Sequence, residues 1–523
     1  MSKPHSYPPG CSITSLSDIE GKRITVMGLG LNGGGEAAVR FFLNHGAIVT
    51  ATDMKTKEQL APTLNRLLPE IRKYGRKLRF VLGGHKDEDF STADIVIKNP
   101  GVKIQGNRYL ALAKAIETDL SIFLSLSTAP IIAVTGSKGK SSTVSAIHYG
   151  LKAAGFNAFL GGNITVSPLT FLEETSEATP VVLELSSWQL ADLRGRGVLK
   201  PKISLITTIV PDHQNWYGSM ENYVADKKLI YADQTPSQWT ICGTDSWGDI
   251  FASETKAKVL RYSANPQTAV QAQNALTKGG WLDAEGRGWV SLPTEQFPNF
   301  ASNATGSSQP QLVMDSLLVP GIHSKQNALM AALVLALIQV PPQRIQNVLS
   351  LWPGIPHRLE YFHRWHLQLK DSDTQLEYRF YNDSAATVPE AAAAAAQAFP
   401  IPVQLICGGT DKELDFTEFV QKIKAHPPAN IHLLPGTATN KLVPLLVQEG
   451  IPYRGPYQTL GLLFHDLKLC LESSASWTAR QYKDKLPEFI PVVFSPGATS
   501  FGLFDNEFHR GEVFKDLIQK IFV

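Results

Sequence analysis

Residues 131–142 read IIAVTGSKGKSS, an apolar run followed by a glycine-rich loop that contains Lys138 and Lys140. A buried strand that enters such a loop, with a helix behind it, presents backbone N–H groups and a lysine to phosphate. Val134 occupies the position of the first glycine in G-x-x-x-x-G-K-[ST], so this loop is the shorter G-x-x-G-K-S. Its position between an apolar strand and a helix favours a phosphate-binding loop over a structural turn.

The pattern on both sides of this loop predicts an α/β protein with three domains. Strand-like apolar runs alternate with helical patterns along most of the chain, which is typical of mostly parallel sheets. A chain of 523 residues is also too long for one core. We expect an N-terminal Rossmann-like domain over residues 1–129, a central P-loop-type ATPase domain with a parallel sheet over 130–354, and a C-terminal Rossmann-like domain over 355–523.

Two further segments have distinctive compositions. The polar stretch 299–310, rich in Asn, Ser, Thr and Gly, predicts a surface insertion or a mobile loop. Pro389 and Glu390 followed by six alanines predict a helix, because proline is favoured at the first helical position. The alanine run is therefore interpreted as helix and not as disorder.

Composition and charge exclude several classes of protein. The 49 basic and 47 acidic residues give a formal net charge of +2, which indicates neither nucleic-acid binding nor attraction to a membrane surface. We find no secretory signal and no run of about 18 apolar residues, and so expect a cytoplasmic enzyme without membrane insertion. The four cysteines form no CxxC pair, which argues against a disulfide scaffold or a structural zinc site and fits a reducing compartment. They are Cys11, Cys242, Cys407 and Cys470.

A second glycine-rich loop, GLGLNG at residues 28–33, follows the apolar run that ends at Met27. It fits G-x-G-x-x-G, and Asp53 ends the next strand-like run, as in dinucleotide-binding folds. The glycines permit a tight turn and a close backbone approach to an anion at the helix N-terminus. Taken alone, the loop favours NAD first, another nucleotide second and a turn that binds nothing third.

Two polar residues stand at the ends of apolar runs in the central domain. Glu184 interrupts the buried-type run VVLEL, and because an unpaired buried charge is costly it needs a partner, either a core arginine or lysine or a metal ion. His213 follows the apolar run 203–210, where a histidine is more often a structural hydrogen-bonding group than a ligand. Since both residues and the phosphate loop fall at or near the carboxyl ends of parallel strands, where open α/β sheets bind ligands, we favour the metal interpretation.

The next helix is predicted over residues 219–232, with an apolar stripe that includes Tyr223 and Ile230. Lys227 lies on this stripe, whereas Lys228 lies on the polar face. Lys228 is therefore interpreted as an ordinary solvated residue. Lys227 either extends its ammonium to the surface or is paired, shifted in pKa or chemically modified.

Nine short segments resemble the Mur ligases in order and spacing, and together they cover nearly the whole chain. They are VTGSKGKSS at 134–142, ELSS at 184–187, PDH at 211–213, GSMENYVADK at 218–227, PGIHSKQN at 320–327, PHR at 356–358, NDS at 382–384, GGTDK at 408–412 and SPGATSF at 495–501. This resemblance implies an ADP-forming ligase of peptidoglycan synthesis that activates a carboxylate with ATP and joins it to the amine of an amino acid. It also implies that the third domain binds the amino acid and closes as a lid.

The resemblance assigns the phosphate loop to ATP and implies two Mg²⁺ ions. Lys140 would hold the β- and γ-phosphates, and Ser141 and Glu184 would lie near one Mg²⁺. His213 and Lys227 would serve the second Mg²⁺, because in this family the lysine that matches Lys227 is carbamylated and becomes an anion. Lys140, His213 and Lys227 are thus the expected catalytic residues. The other expected ATP contacts are Gly136, Ser137, Lys138, Gly139, Ser142, Asn327, Arg358 and Asp383.

By the same resemblance, the first glycine loop would hold a UDP-substrate and not NAD. Residues 28–33, KNPG at 98–101 and SPGATSF at 495–501 resemble the family member that adds D-glutamate to UDP-N-acetylmuramoyl-L-alanine. The expected contacts of the UDP-substrate are Gly28, Leu31, Asn32, Gly33, Asp53, Asn99 and Asn163. Those of D-glutamate are Lys412, Ser500 and Phe501.

Four features depart from the family pattern. Ser324 replaces the usual asparagine after the histidine, and Asn215 replaces an aspartate. Ala385 replaces a lysine, and SPGATS replaces the commoner SPACAS. These departures lie outside the ATP core, so they bear on amino-acid specificity and not on the type of reaction.

Three alternatives stay open on the sequence alone. A sister ligase that adds another amino acid would share the whole ATP core, although SPGATSF speaks against it. A dehydrogenase would explain residues 28–53 but not the phosphate loop. A non-catalytic nucleotide-binding paralogue would have no need of both metal sites. For the ligase we expect a monomer.

Overall fold

The computed structural model describes residues 7–263, 278–300, 309–369, 374–482, 486–500 and 504–523. These residues form three separate β-sheets with accompanying helices, which confirms the predicted α/β class. Phe501 and most of the polar stretch 299–310 lie outside the described residues, so the predictions made for them stay predictions. No helix within the described ranges is long and apolar enough to cross a bilayer.

The first sheet is parallel and positions the first glycine loop. Its strands are β1 (Arg23–Met27), β2 (Ile48–Asp53), β3 (Leu78–Leu82), β4 (Ile95–Lys98) and β5 (Ile116–Glu117), and its helices are Gly34–Asn44, Ala61–Arg66, Leu68–Tyr74, Asp87–Ser91 and Asp119–Leu126. The strand order is β3-β2-β1-β4-β5. The glycine loop follows β1, which lies between β2 and β4, where the strand order reverses. Open parallel sheets bind ligands at such a switch point.

The second sheet positions the phosphate loop. Its strands are β6 (Ile131–Thr135), β7 (Phe159–Gly162), β8 (Val181–Glu184), β9 (Ile203–Ile206), β10 (Trp239–Gly243), β11 (Lys258–Ser263), β12 (Gly279–Leu282), β13 (Gly288–Ser291) and β14 (Gln311–Met314). They lie in the order β14-β13-β12-β11-β10-β9-β6-β8-β7, and all neighbours are parallel except β13 with β12 and β14. The α-helices of this region are Lys140–Ala153, Ser187–Ala191, Gln214–Tyr217, Met220–Lys227, Ser246–Glu254, Ile322–Leu337 and Pro342–Ser350.

The third sheet is mixed. Its strands are β15 (Glu360–Gln368), β16 (Gln375–Asn382), β17 (Gln404–Gly408), β18 (Asn430–Leu434) and β19 (Ile490–Phe494), in the order β15-β16-β19-β17-β18. Only β15 is antiparallel to its neighbour. The helices are Pro389–Ala396, Thr417–Ala425, Thr437–Gln448, Leu460–Gln481 and Glu507–Ile521. The first of these confirms the helix predicted from the alanine run.

The chain divides into two compact units. Met1–Asp315 and Gln326–Leu349 form one unit, and Ser316–Lys325 and Ser350–Val523 form the other. The first unit contains the first two sheets, and the second unit contains the third sheet. Each predicted domain therefore has one sheet of its own, while the boundaries of the domains stay predictions.

Two predicted elements are shorter in the structure. The strand predicted over 203–210 ends at Ile206, because the chain then leaves the sheet to bond the phosphate loop. The carbonyl of Thr208, for example, accepts hydrogen bonds from the backbone of that loop. The helix predicted over 219–232 ends as an α-helix at Lys227.

Two buried ion pairs connect the first sheet to the second within the first unit. Lys98 lies 2.7 Å from Asp192, and Glu117 lies 2.7 Å from Arg196. The guanidinium of Arg196 also lies 3.8 Å from the ring centroid of Tyr7, whose hydroxyl donates to Asp192 at 3.4 Å. Because removal of one partner would leave a buried charge unpaired, these pairs tie the two sheets together.

Candidate active site

The phosphate loop follows β6 and leads into the helix Lys140–Ala153. Gly136 has a φ of +146°, and a Cβ there would collide with the hydroxyl of Thr207, so only glycine fits. Gly139 has a φ of +90°, and a Cβ there would overlap the carboxamide of Asn327. The structure therefore brings Asn327, an expected ATP contact, against the loop.

Ser137 fixes the loop to the segment after β9 and to the helix Met220–Lys227. Its hydroxyl donates to the carbonyl of Val210 at 2.9 Å and accepts from the hydroxyl of Tyr223 at 3.0 Å. Its backbone N–H donates to the carbonyl of Thr208 at 2.9 Å. Because Ser137 and Tyr223 are both buried, these bonds preorganise the loop.

Two lysines meet at one backbone carbonyl of the loop. The ammonium groups of Lys140 and Lys227 donate to the carbonyl of Gly136 at 3.0 and 2.8 Å. Burial lowers the pKa of Lys140, and burial together with the charge of Lys140 lowers the pKa of Lys227 to about 7. The loop thus gathers positive charge where the β- and γ-phosphates of a nucleotide would lie.

The neighbouring lysines 227 and 228 have opposite environments, as the helical stripe predicts. Lys227 is 2 % exposed, and its Nζ lies 4.4 Å from the ring centroid of Tyr223. It forms no ion pair with a carboxylate among the described residues. Lys228 instead extends to the surface, with its Nζ 2.7 Å from Oε1 of Glu254.

Glu184 ends β8 at the same edge of the sheet as the phosphate loop. Its Oε1 accepts a hydrogen bond from the carboxamide of Asn163 at 3.1 Å. Its Oε2 is buried and has no hydrogen-bond partner in the part of the chain that the structure describes. Within those ranges Glu184 also lacks the arginine or lysine ion pair of the structural alternative, so the buried oxygen suits a cation ligand.

His213 lies after β9, at the start of the helix Gln214–Tyr217. Its φ of +50° is unusual for a residue with a side chain, and the side chain is 46 % exposed. Its ring lies 5.2 Å from the ring of Trp188. The preceding Asp212 lies 3.3 Å from the ammonium of Lys138. The imidazole therefore faces outward and can bind a ligand.

The predicted metal site has few ordinary metal-binding side chains. Among the described residues, no group of three or more His, Cys, Asp or Glu side chains could hold one ion. Glu184 offers a buried oxygen without a partner, and Ser141 lies in the first turn of the helix behind the loop. A carbamate on Lys227 would add the oxygen atoms that Mg²⁺ prefers. The residues therefore fit Mg²⁺ when Lys227 carries this modification.

The first glycine loop borders a cavity of about 400 Å³. The carboxylate of Asp53 accepts hydrogen bonds from the backbone N–H groups of Gly30 and Lys55, both at 2.9 Å. A Cβ on Gly28 would lie 2.9 Å from the Cβ of Asn99, so the loop packs tightly against the end of β4. The lining includes the expected UDP-substrate contacts Gly28, Leu31, Asn32, Asp53 and Asn99.

Two expected contacts of the UDP-substrate lie outside the lining of this cavity. Gly33 is the N-cap of the helix Gly34–Asn44. Asn163 bonds to Glu184, so it lies beside the candidate metal ligand. Lys55 and His85 line the cavity but were not predicted from the sequence.

The expected nucleotide contacts of the second unit lie at the carboxyl end of β16. Asp383 accepts hydrogen bonds from the hydroxyl of Ser495 at 2.6 Å and from the N–H of Leu359 at 3.1 Å. Burial raises the pKa of Asp383 to about 7, although the charge of Arg358 acts against this shift. Arg358 itself is exposed and available to a ligand.

The expected glutamate contacts Lys412 and Ser500 follow β17 and β19, whose carboxyl ends share one edge of the third sheet. Lys412 is exposed, and its ammonium lies 3.5 Å from the hydroxyl of Thr387. Ser500 is buried and borders a cavity of about 250 Å³ together with Arg510. The guanidinium of Arg510 donates to both the hydroxyl and the carbonyl of Ser384.

The sequence does not predict that Thr207 and Tyr223 shape the phosphate loop. The hydroxyl of Thr207 donates to the carbonyl of Lys138 at 2.7 Å, across 69 residues of sequence. The hydroxyl of Tyr223 donates to Ser137 across 86 residues. Such distant contacts leave no local pattern. Tyr223 offered one signal, since a tyrosine on an apolar stripe needs a partner for its hydroxyl.

Comparisons with known proteins agree with this geometry. The Mur ligase middle domain matches residues 134–335, and the Mur ligase MurD-like N-terminal domain matches residues 22–123. These matches cover the phosphate loop and the first glycine loop. The chain belongs to the Mur ligase family.

Two relatives above 30 % identity carry the same name. The chain is 41 % identical to UDP-N-acetylmuramoylalanine–D-glutamate ligase of Treponema pallidum, over 96 % of this chain and 98 % of that protein. It is 36 % identical to the ligase of the same name from Borreliella afzelii, over 97 % and 99 % of the two chains. A solved structure of UDP-N-acetylmuramate–alanine ligase from Thermotoga maritima superposes with a TM-score of 0.49 at 16 % identity, over 95 % and 99 % of the chains.

Proposed function

We propose that this Mur-family ligase joins D-glutamate to UDP-N-acetylmuramoyl-L-alanine at the expense of ATP, in the synthesis of peptidoglycan precursors. The carboxylate of the UDP-substrate attacks the γ-phosphorus of ATP, which gives an acyl phosphate and ADP. The neutral amine of D-glutamate then attacks the acyl carbon, loses a proton to solvent or a base, and displaces inorganic phosphate. The names of the relatives above 30 % identity support this choice of substrates.

The observation that carries the proposal is the presence of two nucleotide-type loops in one compact unit. Residues 28–33 border a cavity of about 400 Å³, and the carbonyl of Gly136 in the phosphate loop accepts hydrogen bonds from both Lys140 and Lys227. A dehydrogenase would need the first loop and not the second. Two loops of this kind suit a reaction in which one nucleotide carries the substrate and another supplies the phosphoryl group.

Residues in the loops and helices around the second sheet would provide the charges for phosphoryl transfer. This reaction depends mainly on positioning and charge neutralisation. The ammonium of Lys140 would leave the loop carbonyls for the β- and γ-phosphates. Ser141 and Glu184 would hold one Mg²⁺, and His213 and Lys227 a second. When bound, the metal supplies positive charge to the phosphate oxygens.

Lys227 would act as a carbamate. Because its pKa lies at about 7, a large fraction of the amine is neutral at physiological pH. The neutral nitrogen attacks CO₂, forms an N–C bond and releases a proton, so that the product is an anion with two oxygen atoms. Mg²⁺ prefers such oxygen ligands. The side chain of Lys227 would thereby become an anionic oxygen ligand.

Residues of the second unit would bind the remaining parts of the two substrates. Arg358 and Asp383 would contact the nucleotide. Lys412 and Ser500 would contact D-glutamate, because an ammonium and a hydroxyl can both donate hydrogen bonds to a carboxylate.

Phosphate release tests the proposed reaction. Purified protein with ATP and Mg²⁺ should release phosphate only when UDP-N-acetylmuramoyl-L-alanine and D-glutamate are both present. A panel of UDP-sugar acids and amino acids provides the comparison. Equal turnover with L-alanine and UDP-N-acetylmuramic acid would contradict the proposed substrates.

Chemical rescue tests the proposed carbamate. Lys227→Ala should be nearly inactive, and acetate or formate should partly restore phosphate release because a small carboxylate can replace the missing anion. Lys228→Ala is the matched control, since its side chain pairs with Glu254 at the surface. Full activity of Lys227→Ala, or an essential Lys228, would refute the role of Lys227.

A further inference from the structure

A series of side-chain contacts connects the loop after β4 with His213. The Nζ atom of Lys103 lies 3.7 Å from the ring centroid of Trp216. The rings of Trp216 and Trp188 are 4.9 Å apart, and those of Trp188 and His213 are 5.2 Å apart. Lys103 comes from the segment of the first sheet and the three rings come from the segment of the second, all within one compact unit.

His213 needs support from outside its own segment. Its left-handed backbone conformation is strained for a non-glycine residue, and its side chain is 46 % exposed. The helix Gln214–Tyr217 that follows is a single turn. Trp188, by contrast, lies in a short helix fixed by a capping box between Ser186 and Gln189. The indole of Trp188 therefore offers a fixed surface against which the imidazole can be oriented.

Lys103, at the other end of this series of contacts, follows residues that line the nucleotide-type cavity. Asn99 and Val102 line the cavity of about 400 Å³ that the first glycine loop borders. Lys103, the next residue, lines a separate cleft of about 220 Å³ together with Trp188 and Trp216. A ligand in the cavity thus contacts the same short loop that places the ammonium of Lys103 on Trp216.

We propose that Lys103, Trp216 and Trp188 are positioning residues that couple binding of the UDP-substrate to the orientation of His213. A ligand that orders the loop keeps Lys103 over Trp216, and the two indoles in contact with each other then restrict the imidazole. This inference rests on the proposed function, in which His213 serves a metal ion. The three residues act through His213 and do not touch the reacting atoms.

Tryptophan fluorescence tests the coupling without any reaction. UDP-N-acetylmuramoyl-L-alanine should be titrated, in the absence of ATP and Mg²⁺, into the wild type and into Lys103→Arg, Lys103→Met and Trp216→Phe. Because the chain has nine tryptophans, Trp216→Phe defines the share of the signal that Trp216 contributes. We expect a saturable change in the wild type and Lys103→Arg, and at most half of it in Lys103→Met. An equal change in Lys103→Met would overturn the proposal.

Kinetics provide the second measurement. Lys103→Met should lower kcat for phosphate release two- to five-fold, the size expected of an exposed cation–π contact, and leave KM for ATP unchanged. Lys103→Arg should restore kcat, because a guanidinium also binds the face of an indole. Lys114→Met is the matched control, since Lys114 is a 60 % exposed lysine of the same region that only approaches Asp94.

The two measurements separate failure of this inference from failure of the proposed function. If the wild type turns over and Lys103→Met keeps the wild-type kcat, the coupling is wrong while the reaction stands. If no UDP-sugar acid supports phosphate release, the proposed function fails, and the fluorescence titration with the same ligand still decides whether Lys103 and Trp216 respond to it.

Discussion

Lys98 and Lys227 are both 2 % exposed, but their surroundings differ. Lys98, between the first two sheets, lies 2.7 Å from the carboxylate of Asp192 and also donates to two backbone carbonyls. Lys227, behind the phosphate loop, donates to the carbonyl of Gly136 and has no carboxylate partner among the described residues. On the loop another cation, Lys140, donates to the same carbonyl.

This difference in ion pairing distinguishes a buried lysine that stabilises the fold from a buried lysine that can react. A lysine paired with a carboxylate has its charge compensated, and removal of either partner destabilises the fold. A buried lysine without such a partner loses its proton easily, and the pKa of Lys227 accordingly falls to about 7. Burial by itself therefore does not identify a functional lysine, and the lack of a carboxylate ion pair among the described residues is the more informative feature.

The largest effect is expected from Lys98→Met. The change would leave the carboxylate of Asp192 buried without its cation and should lower the free energy of unfolding by about 3–5 kcal/mol. Urea unfolding measures this loss. The double variant Lys98→Met/Asp192→Leu is the control and should recover most of it. A loss below about 1 kcal/mol in the single variant would show that the pair contributes little.

Lys227→Met should change the free energy of unfolding in the opposite direction. The folded state disfavours a protonated Lys227 by about 4–5 kcal/mol at pH 7, since one pKa unit is worth about 1.4 kcal/mol. Its removal should therefore raise the free energy of unfolding by up to about 4 kcal/mol, because the lost hydrogen bond to Gly136 offsets part of this gain. Since the folded pKa lies at about 7 and an unfolded lysine titrates near about 10.4, the gain should shrink as pH rises through this window. Unfolding in CO₂-free buffer at pH 7 and 9.5 measures it. A gain that grows with pH would contradict the low pKa.

Asp383→Asn extends the comparison to a buried carboxylate that forms no ion pair with any described residue. The pKa of Asp383 is raised to about 7, so ionisation costs stability as pH rises from about 4, its unfolded pKa, to 7. The stability of the variant relative to the wild type should therefore rise between pH 4 and pH 8 by up to about 4 kcal/mol, since one pKa unit is worth about 1.4 kcal/mol. Thermal unfolding at both pH values measures this. A constant difference would mean that Asp383 does not titrate in this range.

Lys228→Ala should have the smallest effect. The ion pair with Glu254 lies at the surface, where such pairs contribute less than about 1 kcal/mol. We expect a change in the free energy of unfolding within about 0.5 kcal/mol and no pH dependence between 7 and 9.5. A larger loss would remove the distinction between the two adjacent lysines.

The parts of the site that depend on local pattern were predictable from the sequence. The phosphate loop follows from an apolar strand and two glycines, and the inward face of Lys227 follows from helical periodicity. Glu184 was identified because a charge inside an apolar run needs a partner, and the structure leaves its Oε2 without one in the described ranges.

The parts that depend on distant contacts were not predictable. The bond between Arg196 and Glu117 spans 79 residues and has no periodic signal. The antiparallel strands β13 and β14 were also not predicted. The contacts from Lys103 to His213 likewise form only after the segments of both sheets have folded.

The two ion pairs between the first two sheets have a consequence for the order of folding during synthesis. Lys98 and Glu117 emerge from the ribosome before Asp192 and Arg196, because domains are made from the N-terminus onward. The first sheet is then complete in sequence at β5 but still carries two charges without their partners. We therefore expect the N-terminal segment to reach its final stability only after the helix Ser187–Ala191 and the residues that follow it have been translated.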